Sequence, residues 1–567
     1  MAETIISPGV FQNESDQSLY TQTPQSIGAA IVGPTVKGRP YVPTYVTNYN
    51  QYLSLFGDVF KSGSYYYEYF TSMTAKEYFS NGGQTLLVTR IISGSANVGT
   101  YAQANVTSGS TTQLVLETLA WGDQMNNTSS LVSGALASGS SYNVRWEVTN
   151  VNTGSGTFTL VVRRGDDNNS QKNILETWAN MSLDPQLPNY VSRVIGDLKP
   201  VYDVTNAYVN YTGSYKNNSQ YVRVASVTTP NVDSIDNNGN FKVTQYSGSL
   251  PTVGSGSFGG SFSGGAVDTS AQKLMNENIT TSNIQGFSPN DYNTAFTLLS
   301  NKDEYQFNVL LAPGVGLDGS ASDDMIACVE SRGDAIAIVD NGVFGTAVVA
   351  ATTNAAGSSS NYGATYYPWV QLYSSNLGKA VWCPPSTVVG GVLAFNDQVG
   401  AEWFAPAGLN RGGIPSILLV ERRLQQSQRD TLYSGNVNPI ATFPGSGVCI
   451  YGQKTLQRKP TSLDRVNVRR LLIALKREIG KISNTLVFEQ NTTVTRNRFL
   501  SQVNPFLESV VQRQGLYAYK VVMDDSNNTA DVIDRNQLVG QIYIQPAKTV
   551  EFIILNFNLS PTGAQFS

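Results

Sequence analysis

Residues 466–482 read VNVRRLLIALKREIGKI. Val468, Leu471, Leu472, Leu475, Ile479 and Ile482 recur at helical spacing and make one apolar face, while Arg465, Arg469, Arg470, Lys476, Arg477 and Lys481 take the remaining arc. A helix is expected here, apolar on one side and basic on the other. Just upstream, Thr461 follows Pro460 and stands three residues before Asp464, a capping-box pattern that starts a helix. A second helix is expected after Thr492-Thr493, with Phe499, Leu500, Val503, Phe506, Leu507, Val510 and Val511 inside and Gly515 as its stop. Leu516–Met523, Gln537–Gln545 and Lys548–Ser560 read as strands, the last alternating Val550, Phe552, Ile554 and Phe557 with less apolar neighbours. The stretch from about Gly447 to Ser560 therefore reads as an α+β unit with concentrated positive charge.

Outward from that unit, composition bounds the rest. At 567 residues the chain is too long for one core, and its length suggests about three or four domains. Only 14% of residues are charged, against about 25% in ordinary globular chains. Gly, Ser, Thr, Asn and Tyr fill the gap, as suits a β-rich protein with many turns or one that buries surface against copies of itself. The net charge of −4 hides an asymmetry: from Gly447 onward there are 15 basic and 9 acidic residues, leaving 22 basic and 32 acidic before it. A basic face of that kind can dock on nucleic acid or on an acidic protein. Cys328, Cys383 and Cys449 are odd in number and lie in apolar contexts, which reads as buried free thiols in a reducing compartment. Met1-Ala2-Glu3 begins no signal peptide and no apolar run approaches a membrane span, so a soluble protein is expected.

Along the chain, residues 1–25 are polar except for Ile5, Ile6 and Val10, with Pro8-Gly9 breaking any helix. Composition alone leaves a disordered tail open there. Residues 26–95 read as compact and mixed: a strand at Ile27–Val32, a short helix at Tyr49–Phe56 before Gly57, an aromatic helix at Tyr65–Phe79 and a strand at Thr85–Ile92. From about 96 to 290 short alternating segments (Gln113–Glu117, Tyr142–Val148, Phe158–Val162) sit between Ser/Gly/Asn clusters, an all-β signature. Gly248–Gly265 is Gly/Ser-rich and reads as a flexible loop. Residues 291–440 return to alternating strands (Phe307–Leu311, Ala335–Val339, Tyr366–Leu372) and helices (Ala321–Ser331, and from Pro384-Pro385-Ser386 to about Asp397). They are expected to pack with 26–95 into one α/β domain, with 96–290 as one or two β domains inserted on the outer surface, where an insertion costs least.

Chemistry is narrowed by what is missing. The chain has no histidine, which removes Ser-His and Cys-His nucleophiles and every histidine-bearing metal site. The three cysteines have no paired spacing. Gly254, Gly256 and Gly259 satisfy the letter of a G-x-G-x-x-G loop, but no convincing strand precedes them and no helix follows. No G-x-x-x-x-G-K-[ST] is present. Asp323-Asp324, Asp524-Asp525 and Asp531/Asp534 are acidic pairs of the kind that mostly sit in solvated turns, and a carboxylate pair for glycoside hydrolysis depends on a separation in space. No catalytic, cofactor or metal residue is expected.

GVCIYGQKTL (447–456), VNVRRLLIALKREI (466–479), LVFEQN (486–491), FLESVVQRQGL (506–516) and VEFIILNF (550–557) stand in an order that resembles the C-terminal domain of contractile tail sheath proteins of phage tails and related injection machines. SPGVFQNE (7–14), IVGPTVKGRP (31–40), VTNYNQYLSLFG (46–57), NGGQTLLVTRI (81–91), SRGDAIAIVD (331–340), YYPWVQL (366–372), PPSTVVGGVLAFND (384–397), APAG (405–408) and NPIATFPGSGV (438–448) extend it, so that it covers roughly 1–95 and 300–560. The resemblance implies an α/β and α+β multidomain protein: an extended N-terminal arm at 1–25, a sheath core domain from 26–95 with 291–440, an inserted β-rich outer domain at 96–290, and a C-terminal α+β domain at 441–567 ending in a linking strand. It implies a homo-oligomer of stacked hexameric rings around an inner tail tube protein, with baseplate and tail terminator partners, no cofactor, no direct nucleic acid and no membrane. The place implied is the virion tail, after assembly in the host cytoplasm. Contraction from a metastable extended state would drive the tube through the target envelope, without an ATP motif because the energy enters the lattice at assembly. Ile5, Ile6 and Val10 at one end and Val550, Phe552 and Ile554 at the other would link subunits by strand addition. Arg469, Arg470, Lys476, Arg477 and Lys481 would face the inner tube or form a solvated helix face. The alternative is a β-rich carbohydrate-binding or glycan-cleaving surface protein with its cleft in 96–290; phage tail, tailocin and other injection systems stay open.

Overall fold

Ala29–Gly33 (AAIVG) and Ile336–Asp340 (IAIVD) are short runs of small and β-branched residues buried at every position, the composition of strands covered on both faces. They lie inside an eight-stranded sheet whose order is Thr44–Val46, Leu86–Arg90, Ala29–Gly33, Val309–Gly316, Ile336–Asp340, Gly363–Tyr367, Asn438–Phe443 and Gly447–Ile450. The inner pairings are parallel, and the two outermost are antiparallel. This is a computed structural model that describes residues 27–551 apart from 63–64, 94–100, 123–124, 127–130, 133, 138, 229–237, 239, 241–249 and 261–278.

Helices Phe70–Ser80 and Ser386–Val399 pack on each other and on the central strands. Gly390 and Gly391 permit the approach: a Cβ at Gly390 would sit 2.5 Å from Leu311, and one at Gly391 3.0 Å from the Glu77 carbonyl. Pro289–Leu299, opened by a Ser288–Asp291 capping box, pairs with Ser320–Arg332. The expected aromatic helix begins later than Tyr65: Tyr65–Glu68 pairs antiparallel with Val59–Ser62, and the helix covers Phe70–Ser80. A tyrosine run prefers a pleated strand. The single strand expected over Tyr366–Leu372 is two. Gly363–Tyr367 belongs to the large sheet, and Val370–Ser374 to a three-stranded sheet with Lys379–Cys383 and Ile417–Val420. Pro368 lies between them, and a residue without an N–H cannot continue a ladder.

The insert is β-rich. Gln103–Ser108, Thr111–Thr118 and Val222–Val227 form one sheet; Ile174–Ser182, Thr157–Arg164, Val144–Asn152 and Gly254–Ser257 form another. Leu114, Leu116, Val148, Phe158, Leu160 and Met181 belong to a core of its own. Gly254–Ser257 was expected in a flexible loop, yet it pairs antiparallel with Arg145–Val148. A Cβ at Gly256 would lie 2.7 Å from the Trp146 indole, so only glycine lets this strand cross the ring.

The insert is also sewn into the main core. Tyr101, Trp121, Tyr202 and Val209 belong to that core, Tyr202 stacks on Tyr41 at 5.5 Å, and Arg90 Nη1 donates to the carbonyls of Gly38 and Trp121, each at 2.7 Å. Ile279, Ile284 and Phe287 pack in the main core as well, and the Gln285 side chain joins Phe70 N to the Pro313 carbonyl. The core domain therefore resumes by about 279 rather than at 291, and its sheet runs on to Ile450, past the expected boundary at 440.

Candidate functional site

The basic helix spans Val466–Asn484. Thr461 caps a short 3-10 turn at Ser462–Asp464 by accepting from Leu463 N, so the α-helix starts later than the capping pattern suggests. Its apolar residues face two ways. Leu471 and Leu475 join Leu486, Phe499, Val503, Leu507, Val510 and Leu516 in a small terminal core, while Val466 and Ile473 belong to the main core. The helix is thus a wall shared by two cores. The second helix, Thr493–Gln512, is capped by Thr492 accepting from Thr495 N. Its chain turns at Gln514 (φ 61°) rather than at Gly515. Gly515 is needed for another reason: a Cβ there would sit 2.6 Å from Val510 and 3.1 Å from Trp403. Leu516–Val522 and Gln541–Pro546 then pair as an antiparallel hairpin, which leaves an open edge on each strand among the described residues.

The arginines do not make the free basic face expected of them. Arg470 is 1% exposed and grips Asp397 with two hydrogen bonds, of 2.8 and 2.5 Å. Burial opposes its charge, but Asp397 and Glu402 outweigh it and hold the guanidinium above its ordinary pKa. Arg477 reaches Glu402 at 2.6 Å and Glu478 at 3.1 Å. Arg469 is buried over the Tyr362 ring, 4.1 Å from its centroid, and donates to Asn361 Oδ1 at 3.0 Å. All three bind segments outside the terminal unit or beside it, because a charged side chain on a wall between two cores loses its water, at a cost that only a partner offsets. Lys476 and Lys481 stay exposed, Lys481 beside Glu478 at 3.1 Å. Sequence patterning located the cations and missed Asp397 and Glu402, which stand far upstream on the core side and carry no local signal.

Ile5, Ile6, Val10, Phe552 and Ile554 lie outside the described residues. Val550 is described and is 79% exposed. The strand expected over Lys548–Ser560 forms no ladder in its described part, Lys548–Glu551. Instead Glu551 is clamped. It accepts from Arg465 Nε (2.7 Å) and Nη2 (3.0 Å), from Tyr433 Oη (2.8 Å) and from Gln453 Nε2 (3.2 Å). Burial pulls its carboxyl up, but these hydrogen bonds outweigh it and hold the pKa below the usual value. Lys548–Glu551 and the start of the basic helix flank a cleft of about 760 Å3.

The other candidate chemistry does not assemble. Among the described residues no three His, Cys, Asp or Glu side chains cluster as a metal site, and no helix is long and apolar enough to cross a membrane. Asp525 pairs with Arg496 and Asp531 with Arg535. Gly254 and Gly256 lie in a strand ladder, not in a phosphate loop. The cysteines are free and buried, and burial pushes the Cys328 and Cys449 thiols up to about 11.

A broad parallel sheet carrying a β insert, latched through buried arginines to a two-helix unit with an open hairpin edge, defines a multidomain α/β and α+β chain. Two family models match consecutive stretches of it, the phage tail sheath protein central domain over 273–456 and the phage tail sheath C-terminal domain over 458–560. The chain belongs to the phage tail sheath family. It is 36% identical over 258 residues to the tail sheath protein of Enterobacteria phage T4, a match covering 44% of this chain and 39% of that one. It is 39% identical over 186 residues to the tail sheath protein of Vibrio phage KVP40, covering 33% and 28%. The matched stretch thus spans well under half the length of these relatives. The crystal structure of a sheath tail protein from Listeria innocua shares the fold at a TM-score of 0.51 and 10% identity, over 92% of this chain and 95% of that one.

Proposed function

We propose that the chain is a structural subunit of a contractile tail sheath. It polymerises as stacked hexameric rings around an inner tube and contracts from a metastable extended lattice to drive that tube through an envelope. The observation that carries this reading is the collinear match of central and C-terminal sheath domains over 273–560. Its role is mechanical rather than enzymatic, which agrees with a chain that has no histidine. Its place is the virion tail, after assembly in the host cytoplasm, with baseplate and terminator proteins at the two ends of the polymer. Nothing among the described residues of the insert favours a glycan-binding surface protein.

Two contacts follow from the reading. The hairpin Leu516–Val522/Gln541–Pro546 has edges to which extended segments of neighbours can add strands, because such a segment gains main-chain hydrogen bonds by completing a sheet. Ile5, Ile6 and Val10 from one neighbour and Val550, Phe552 and Ile554 from another are the residues assigned to that task. With Arg469, Arg470 and Arg477 occupied inside the chain, contact with the tube falls to Lys476 and Lys481. Negative-stain electron microscopy of the purified chain tests the whole reading: helical tubes or stacked rings are expected, and uniform discrete particles under every assembly condition would overturn it.

A further inference from the structure

The loop that leaves Ala29–Gly33 at its carboxyl end forms one wall of a cleft of about 350 Å3 between the sheet core and the insert. In open α/β sheets ligands bind outside the carboxyl ends of strands where the strand order reverses. Ala29–Gly33 stands at such a point: the chain leaves it for Leu86–Arg90 on one side and returns as Val309–Gly316 on the other. Gly38 makes the wall tight. Its φ is +114°, and a Cβ there would sit 2.7 Å from the Phe56 ring.

Lys37, Arg39 and Lys216 line this cleft, and none of its described lining residues is acidic. Leu55, Phe56 and Leu119 supply apolar surface. Lys37 is 9% exposed. Its ammonium lies 5.7 Å from the centroid of the Tyr142 ring and has no hydrogen bond or ion pair with a described residue. The nearby Asp58 carboxylate is committed elsewhere, accepting from Tyr142 Oη at 2.5 Å and from Val59 N at 2.8 Å. Burial, only partly offset by Asp58, lowers the Lys37 pKa to about 8. A desolvated, unpaired cation is costly, and the face of one tyrosine compensates it only in part.

We propose that this cleft binds an amphiphilic organic anion, its carboxylate or sulfonate head taken by Lys37 and Arg39 and its apolar body lying against Leu55, Phe56 and Leu119. The site is independent of the subunit contacts above, and a volume of this size accommodates a small ligand. The full chain is titrated with 1-anilinonaphthalene-8-sulfonate and, in parallel, with its uncharged parent N-phenyl-1-naphthylamine. One sulfonate per chain is expected, displaced by octanoate. Lys37→Met should weaken sulfonate binding about tenfold or more, the worth of one charged hydrogen bond, and leave the neutral probe nearly unchanged. Lys216→Ala should weaken it only a few-fold, as befits an exposed charge. Sulfonate binding that does not saturate, or that survives Lys37→Met, overturns the proposal. Should Lys37→Met fail to fold, acetic anhydride labelling of the unaltered chain, read by mass spectrometry, decides the matter. Octanoate is expected to protect Lys37 and not Lys520; equal labelling of Lys37 with and without octanoate overturns the site.

Discussion

Arg470 shows how one side chain serves two cores. It leaves a helix whose Leu471 and Leu475 belong to the terminal core and whose Ile473 belongs to the main one, and it ends on Asp397. Asp397 is 29% exposed on its side chain and Arg470 1%, so removing the arginine strands a partly buried carboxylate. Arg470→Met should cost about 3 kcal/mol, the scale for breaking a buried pair. Adding Asp397→Leu should recover much of that, because two apolar groups leave no orphan. Denaturant midpoints of the two singles and the double give the coupling. Lys37 works in the opposite sense. Its pKa is about 8 in the folded chain and 10.5 when unfolded, so between those values the unfolded chain binds more protons and stability rises with pH. At pH 7 the ammonium carries a penalty of up to about 3 kcal/mol. Lys37→Met is therefore expected to raise the melting temperature at pH 7, with the advantage fading as the pH rises from about 8 to 10.5.

At the scale of elements, periodicity was a good guide where a segment has one buried face. Val468, Leu471, Leu475 and the Phe499–Val510 series placed both terminal helices, because an apolar stripe records which side is covered. It was a poor guide where the backbone does the packing. Gly254–Ser257 has no side chain to advertise a strand, and its reason for being one is the Trp146 ring more than a hundred residues upstream. The buried arginines were legible as cations but not as latches, since Asp397 and Glu402 are separated from them by 73 and 75 residues. The hairpin and its flanking tail carry the linking prediction. Deleting residues 1–12 should leave a chain that is soluble and folded by circular dichroism, yet unable to form long sheaths; normal sheaths would remove that arm from the mechanism. Truncation after Gln545 should block polymerisation too, with some loss of stability, because it also takes away the Glu551 clamp on Arg465 and Tyr433.

For the whole molecule, the order of α/β, β-rich and α+β regions could be read from texture alone, while the seams could not. The insert looks separable in sequence because turn-rich alternation sets it apart, and an outer decoration could be excised at little cost in loop closure, about 0.6 kcal/mol per doubling of length. The seams argue otherwise. Excising 96–290 removes Trp121, Tyr202 and Val209 as well as Ile279–Phe287 from the main core and takes the Trp121 carbonyl from Arg90. The excised chain is expected to be insoluble, whereas excision of 144–182 alone should spare that main core; recovery of soluble protein in parallel expressions compares them. The Glu551 clamp, finally, decides where a pull on the tail is felt. Tension arriving through residues beyond 551 meets Arg465, Tyr433 and Gln453 before it reaches the hairpin. The load then enters the body beside the main sheet and crosses several hydrogen bonds at once, so the two-stranded ribbon is not peeled apart one rung at a time. The carboxylate acts as a strain relief, like the collar where a cable enters its housing.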